Sequence, residues 1–170
     1  MKEFLEKMKK IKLIISEVDG IITEGLVNYD ELQNVPFKTY HLKDFEAINE
    51  LKKGFKFVFM SSDNAISYNL FRKKCIPFYW AQKKKKDVIV QILQYYSVTP
   101  DEVLFIGSTY SDLECVQMIP LSICPLDSVD VIKKYASFVL SSISGMGVLS
   151  ELCDLVMAEI VSRQTNELEN

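Results

Sequence analysis

Short apolar runs alternate with amphipathic stretches along most of the chain, and this alternation predicts strands separated by helices. Lys12 to Val18 (KLIISEV) reads as a buried strand that stops at the turn pair Asp19-Gly20. Asp44 to Lys53 carries Phe45, Ile48 and Leu51 at helical spacing, and Phe55 to Met60 (FKFVFM) is strand-like again. Asn64 to Lys74 predicts a helix whose cationic end suits the helix dipole. Cys75 to Trp80 forms a third apolar run, and Lys84 to Tyr96 presents Val88, Ile89, Ile92, Leu93 and Tyr96 on one face. After the break at Thr99-Pro100, Glu102 to Ile106 predicts a fourth strand ending at Gly107. Ser111 and Glu114 have capping-box spacing, so a helix is expected from near Tyr110 to Met118. Leu121 to Cys124 and Ser137 to Leu140 predict short strands, and Val148 to Ile160 a closing helix. The polar residues 162–170 are expected to form a flexible, frayed tail.

Strands joined by helices of this length imply right-handed crossovers. The expected fold is α/β: a doubly wound, largely parallel sheet with helices on both faces. Gly25 to Tyr40 interrupts the pattern with two β-rich halves around a polar centre, which predicts a projecting β-hairpin at about 25–40.

Composition narrows the class. With 48% hydrophobic and 25% charged residues, the chain has the balance of a packed domain rather than a disordered one. No apolar run exceeds about six residues, against the roughly 18 needed to span a membrane. Twenty Lys and Arg against 23 Asp and Glu leave a net charge of -3, which argues against a nucleic-acid partner. The opening MKEFLEKMKKIK has no apolar stretch for a secretory signal. The expectation is therefore one cytoplasmic domain over 1–170, with no nucleic-acid and no membrane partner. Cys75, Cys115, Cys124 and Cys153 lack the close spacing of a structural zinc site and read as small core residues. His41 is the only histidine, so chemistry falls to carboxylates, hydroxyls and lysines.

In doubly wound folds ligands bind at the carboxyl ends of the strands. There the chain offers Glu17 and Asp19, then Ser61 and Ser62, then Ser108, Thr109 and Asp112, with the run Lys83 to Lys86 after the third strand. Carboxylates hold a hard cation while lysine and hydroxyl hold an anion, so the set suits a phosphate with magnesium. Each residue also has a plainer use. Asp19 before Gly20 forms turns, Ser61 and Ser62 cap helices, and Asp112 suits a helix start. Lys83, Lys84 and Lys86 suit a solvated helix start. His41 and Lys43 close the hairpin, on the surface or against the pocket.

EVDG, Ser61, a lysine near 85 and Gly107 to Asp112 together resemble the haloacid dehalogenase (HAD) phosphatases. Within that superfamily the chain looks like the 3-deoxy-manno-octulosonate (KDO) 8-phosphate phosphatases, from Ile11 to about Ala158. The likeness runs through KLIISEVDGIITEG, HLKD at 41–44, VTPDEVLFIG at 98–107, LSICPLDS at 121–128 and GMGVLSELCDL at 145–155. It implies a HAD-like Rossmannoid domain without a large cap. It also implies a nucleophile position at Glu17, acid–base chemistry at Asp19, phosphoryl stabilisation by Ser61 and Lys85, and substrate contacts at Ser62 and Lys43. Magnesium would be held at Glu17, Asp19, Ser108 and Asp112.

The sequence departs from that pattern at four places. Glu17 stands for the nucleophilic Asp, Ser108-Thr109 for Asp-Asp, Asp63 for an Arg, and Met146 interrupts a Gly-Arg-Gly. An added methylene displaces a carboxylate by on the order of 1 Å, enough to cost about a hundredfold in rate. These changes read as a degenerate phosphatase site kept for assembly. The C-terminal domains of animal CMP-sialic acid synthetases, which the chain also resembles, suggest the same. The resemblance implies a homotetramer built through the hairpin, a sugar-phosphate ligand and a sugar-pathway enzyme as partner. Two other readings stand beside it. One is an active magnesium-dependent phosphomonoesterase on KDO 8-phosphate or a related nonulosonate 9-phosphate; the other is a sugar-phosphate sensor without turnover.

Overall fold

The computed structural model describes residues 2–63, 65–81 and 84–168, with side chains from Glu3 to Ala158 within those ranges. Its centre is strand β1 (Leu13–Glu17), flanked by β2 (Lys56–Ser61) and β4 (Val103–Ile106). Beyond them lie β3 (Phe78–Trp80) on one side and β5 (Leu121–Cys124) and β6 (Phe138–Val139) on the other. The order β3-β2-β1-β4-β5-β6 is parallel throughout, with Ile14 opposite Phe57 on one side and Leu104 on the other. The chain winds outward from β1 through β2 to β3, then crosses back to β4. This reversal puts the topological switch point between β1 and β4.

Side chains alternate across a strand, so successive residues feed opposite faces. Ile14, Phe57, Phe59, Leu104, Ile106 and Ile123 pack on one side with α1 (Lys2–Met8), α2 (Leu42–Gly54), α3 (Ile66–Lys73) and α7 (Val148–Leu168). Leu13, Ile15, Val58, Met60, Val103 and Phe105 pack on the other with α4 (Lys85–Tyr96), α5 (Leu113–Met118) and α6 (Asp130–Tyr135). Both faces are covered, which is why the strands read as near-continuous apolar runs. The doubly wound α/β architecture expected from the sequence is the one observed. Among the described residues no helix is long and apolar enough to cross a membrane.

Several local expectations are corrected. Residues 25–40 leave the sheet as expected, but they form no strand ladder among the described residues. They fold back through a turn in which Asp30 N donates to Asn34 O at 2.9 Å. Almost every residue there is exposed, and a lone two-stranded ribbon without a buried face is marginal in water. Past the expected end at Ile160, α7 continues to Leu168, because extending a helix is far easier than nucleating one. The charged opening forms α1, anchored by buried Phe4 and Met8, and Asp130–Tyr135 forms α6 around Ile132. The capping box before α5 is Thr109 with Asp112, not Ser111 with Glu114. Cys115, Cys124 and Cys153 are buried as expected, whereas Cys75 is exposed in the turn after α3.

Candidate functional site

The carboxyl ends of β1, β2 and β4 bring together two lysines, each set between two carboxylates. Glu17 ends β1 with its side chain buried at the switch point. Lys85, the first residue of α4, places Nζ 2.7 Å from Glu17 Oε1 and 2.6 Å from Asp112 Oδ1. Asp112 is itself fixed from behind. Its Oδ2 accepts from Ser108 N and Thr109 N, both at 2.9 Å, and from Thr109 Oγ1 at 3.1 Å. Gly107 admits this packing, since a Cβ there would lie 2.8 Å from Asp112 Cβ.

The second lysine comes from the projecting segment. Lys38 Nζ reaches Asp19 Oδ1 at 2.8 Å and Oδ2 at 2.9 Å, and Asp63 Oδ2 at 2.9 Å. Ser61 Oγ donates to Asp19 Oδ2 at 3.2 Å and accepts from Asp63 N at 3.1 Å, so the end of β2 is stitched into the same cluster. Thr23 Oγ1 adds a bond to Asp19 Oδ1 at 3.2 Å. Behind the turn, Ser144 Oγ donates to Gly20 O at 2.7 Å and to Asp127 Oδ1 at 3.0 Å. Gly20 has φ +79°, and a Cβ on it would collide with Ser108 Oγ, so glycine is required there twice over.

Burial and charge set the protonation states. Burial pushes the Glu17 carboxyl up to about 8, against the attraction of Lys85 and with the help of the nearby Asp112 charge. Burial also opposes the charge on Lys85, but Glu17 and Asp112 outweigh it and raise its pKa. For Lys38 the cost of burial is likewise outweighed, here by the bonds to Asp19 and Asp63. Asp63 feels burial too, yet Lys38, Ala65 N and Ser67 hold its carboxyl well below the usual carboxylate range.

Of the residues singled out in the sequence, Glu17, Asp19, Ser61, Lys85, Ser108 and Asp112 meet in this cluster. Ser62 stands beside it, lining a cavity of about 470 Å³ with Lys84, Lys85, Tyr110, Ser111 and Glu114. Lys43 does not join: it lies exposed in the first turn of α2, where its backbone N–H donates to His41 Nδ1 at 3.3 Å. That bond makes His41 the N-cap of α2, a structural use of the chain's one histidine. Lys83 lies outside the described residues. Lys38 was not foreseen; a lone lysine in a polar excursion gives no local signal that it folds back 19 residues onto Asp19.

A parallel sheet with carboxylates, hydroxyls and lysines gathered at its switch point defines a Rossmann-like α/β protein. The chain belongs to the haloacid dehalogenase-like hydrolase family, which matches residues 2–152. Within that family it is similar to KDO 8-phosphate phosphatases. The 3-deoxy-D-manno-octulosonate 8-phosphate phosphatase of Haemophilus influenzae is 25% identical over 155 residues, covering 89% of this chain and 86% of the relative. A protein from Legionella pneumophila, assigned to subfamily III A of the HAD superfamily hydrolases, superposes with a TM-score of 0.88 at 27% identity. It covers 100% of this chain and 96% of the other. The Moraxella catarrhalis 3-deoxy-D-manno-octulosonate 8-phosphate phosphatase, in complex with magnesium ion, phosphate ion and KDO, shares the fold at a TM-score of 0.86 and 21% identity. There the coverage is 93% and 92%.

The donors available to such a cation can be weighed directly. Magnesium demands near-octahedral oxygen ligands and is usually anchored by carboxylates. Here Glu17 and Asp112 both face Lys85, the Asp19 carboxylate is taken by Lys38, and position 108 offers a neutral hydroxyl. Among the described residues Ser108 Oγ finds no hydrogen-bond partner although it is buried. Among the described residues no group of three or more His, Cys, Asp or Glu is placed to hold a metal ion. Magnesium is the cation held by the Moraxella catarrhalis relative; in this chain Glu17, Asp19 and Asp112 would supply its carboxylate oxygens on release from Lys85 and Lys38, and Ser108 adds an uncharged one.

Proposed function

We propose that this chain is a phosphomonoester-binding member of its family in which the hydrolytic centre is degenerate, retained as an oligomeric scaffold in acidic-sugar metabolism. One observation carries the reading. The Glu17 carboxyl, at the position of the family's nucleophile, is buried with Oε1 2.7 Å from Lys85 Nζ, and that burial raises its pKa and favours the neutral form. A protonated carboxyl is a poor nucleophile. Ser108 removes a metal-binding charge from the same pocket. Ser61, Ser62 and Lys85 remain at the strand ends, where hydroxyls and an ammonium serve a phosphoryl group.

The projecting segment supports assembly. Leu26, Val27, Tyr29, Leu32 and Phe37 are all exposed on it, an apolar set that a second copy of the chain would cover. In this proposal the assembly is a homotetramer, and the sugar-pathway enzyme partner docks on the assembled form. Light scattering after size exclusion tests the first part: Leu26→Asp with Phe37→Asp is expected to convert a tetramer into monomers.

The second reading, an active magnesium-dependent phosphomonoesterase on KDO 8-phosphate or a nonulosonate 9-phosphate, is favoured by the names of the relatives. Phosphate release with magnesium separates the two. The expected result is no turnover by the wild type and gain of turnover in Glu17→Asp with Ser108→Asp. Wild-type turnover that disappears in Glu17→Gln would overturn the degenerate reading.

A further inference from the structure

The cavity of about 470 Å³ beside the deep cluster is built by separate parts of the chain. Ser62 follows β2, Ala81 follows β3, and Lys84 and Lys85 stand at the start of α4. Tyr110 and Ser111 come from the turn after β4, and Glu114 from the first turn of α5. Small-molecule sites typically have volumes of roughly 300 to 1,000 Å³, with a few placed polar groups among apolar and aromatic ones. This cavity meets both conditions. Lys85 is common to the cavity and to the triad with Glu17 and Asp112, so a molecule filling the cavity touches that lysine.

The wall divides chemically. Donors come from the strand ends and α4. Lys84 is exposed, and among the described residues neither its side chain nor that of Ser62 has a hydrogen-bond or ion-pair partner. Lys85 carries a third ammonium hydrogen beyond its contacts with Glu17 and Asp112. Acceptors come from the turn after β4. Asp112 Oδ2 accepts two amide N–H groups, and Thr109 Oγ1 gives it its one hydrogen across 3.1 Å. In the 2.9 Å contact between Thr109 Oγ1 and Ser111 Oγ, Ser111 is therefore the donor, and its oxygen is left only to accept. Glu114, exposed and without a hydrogen-bond or ion-pair partner among the described residues, supplies a second acceptor. Tyr110, next to Ser111, is 74% exposed, which leaves its ring to be covered.

We propose that this cavity is the subsite for the body of a hexose monophosphate. The phosphate lies against Lys84, Lys85 and Ser62, the sugar ring covers Tyr110, and sugar hydroxyls donate to Ser111 Oγ and Glu114. A sugar ring suits this wall because it joins an apolar C–H face to hydroxyl donors at its edge. A purely apolar body would cover Tyr110 and leave both acceptors without donors. The inference rests on the phosphomonoester reading above and names the body of the ligand and the residues that select it.

Calorimetry on the full chain tests it with glucose 6-phosphate and cyclohexylmethyl phosphate. The two share a phosphomonoester on a six-membered ring and differ in the ring oxygen and hydroxyls. The wild type is expected to bind glucose 6-phosphate about tenfold more tightly. Glu114→Leu is expected to weaken glucose 6-phosphate by about fivefold and to leave cyclohexylmethyl phosphate unchanged. Tyr110→Ala is expected to weaken both ligands by about threefold to tenfold, with binding retained in Tyr110→Phe. All three variants replace exposed side chains, and thermal melts check that each is folded. Equal wild-type affinities, or glucose 6-phosphate binding that Glu114→Leu and Tyr110→Ala both leave unchanged, would overturn the inference alone. No binding of either phosphate by any form would overturn the phosphomonoester reading and the inference with it.

Discussion

Lys85 and Lys38 each stand between two carboxylates, yet they are delivered by different parts of the chain. The Lys85 triad joins the first residue of α4, the end of β1 and the turn after β4, all anchored in the parallel sheet. Its members are almost fully enclosed, with side chains 12%, 3% and 1% exposed for Lys85, Glu17 and Asp112. The Lys38 triad joins the projecting segment to the rim, and its Asp19 side chain is 37% exposed. Water and salt therefore screen the second triad but not the first. The deep triad couples protonation to local stability, while the rim triad ties an outer segment to the sheet edge.

Removing the deep ammonium breaks this contrast most severely. Lys85→Met leaves Asp112 charged and buried without its partner, and about 3 to 5 kcal/mol of stability is expected to go, read by urea unfolding. Next comes the pH dependence of Glu17. The pKa of its carboxyl is raised in the folded state, so the folded protein holds a proton that the unfolded chain releases near the ordinary glutamate value of 4.5. Stability from this group is therefore full below that value and falls as pH rises toward about 8. Glu17→Gln is expected to remove the fall, gaining roughly 1 to 3 kcal/mol relative to wild type between pH 6 and 9 in paired thermal melts. A parallel decline in both proteins would show that Glu17 titrates normally.

The rim triad sharpens the comparison from the other side. Lys38→Met is expected to cost only about 1 to 2 kcal/mol, since its partners keep backbone donors and solvent. Amide exchange should accelerate across residues 24–41 while β1 and β4 stay protected. The smallest effect is that of salt. At 1 M salt the Lys38→Met penalty is expected to shrink by a few tenths of a kcal/mol, with the Lys85→Met penalty unchanged. Equal salt sensitivity would mean the two triads share one environment.

Most of the sheet was legible because burial on both faces writes itself into the strands as apolar runs, as in Leu13–Glu17 and Val103–Ile106. Glu17, Asp19, Ser61, Ser108 and Asp112 could be placed together for a related reason, since residues following parallel strands emerge on one edge, whereas Lys85 was picked out of the run Lys83 to Lys86 by the family resemblance. The short α6 and the charged α1 escaped, since each is held by only one or two buried side chains and carries little periodicity.

The alternation of strands and helices, and with it the edge where chemistry gathers, was therefore determined by the order of residues alone. Apolar period is a local property, and parallel winding turns it into a shared rim. Tertiary structure alone decided that Lys38 folds back to Asp19 and Asp63, that Lys43 stays outside, and that segment 25–40 projects without pairing. The reason is electrostatic. Which ammonium finds which carboxylate depends on distances across the fold and on how much water is left between them, and neither is encoded in spacing along the chain.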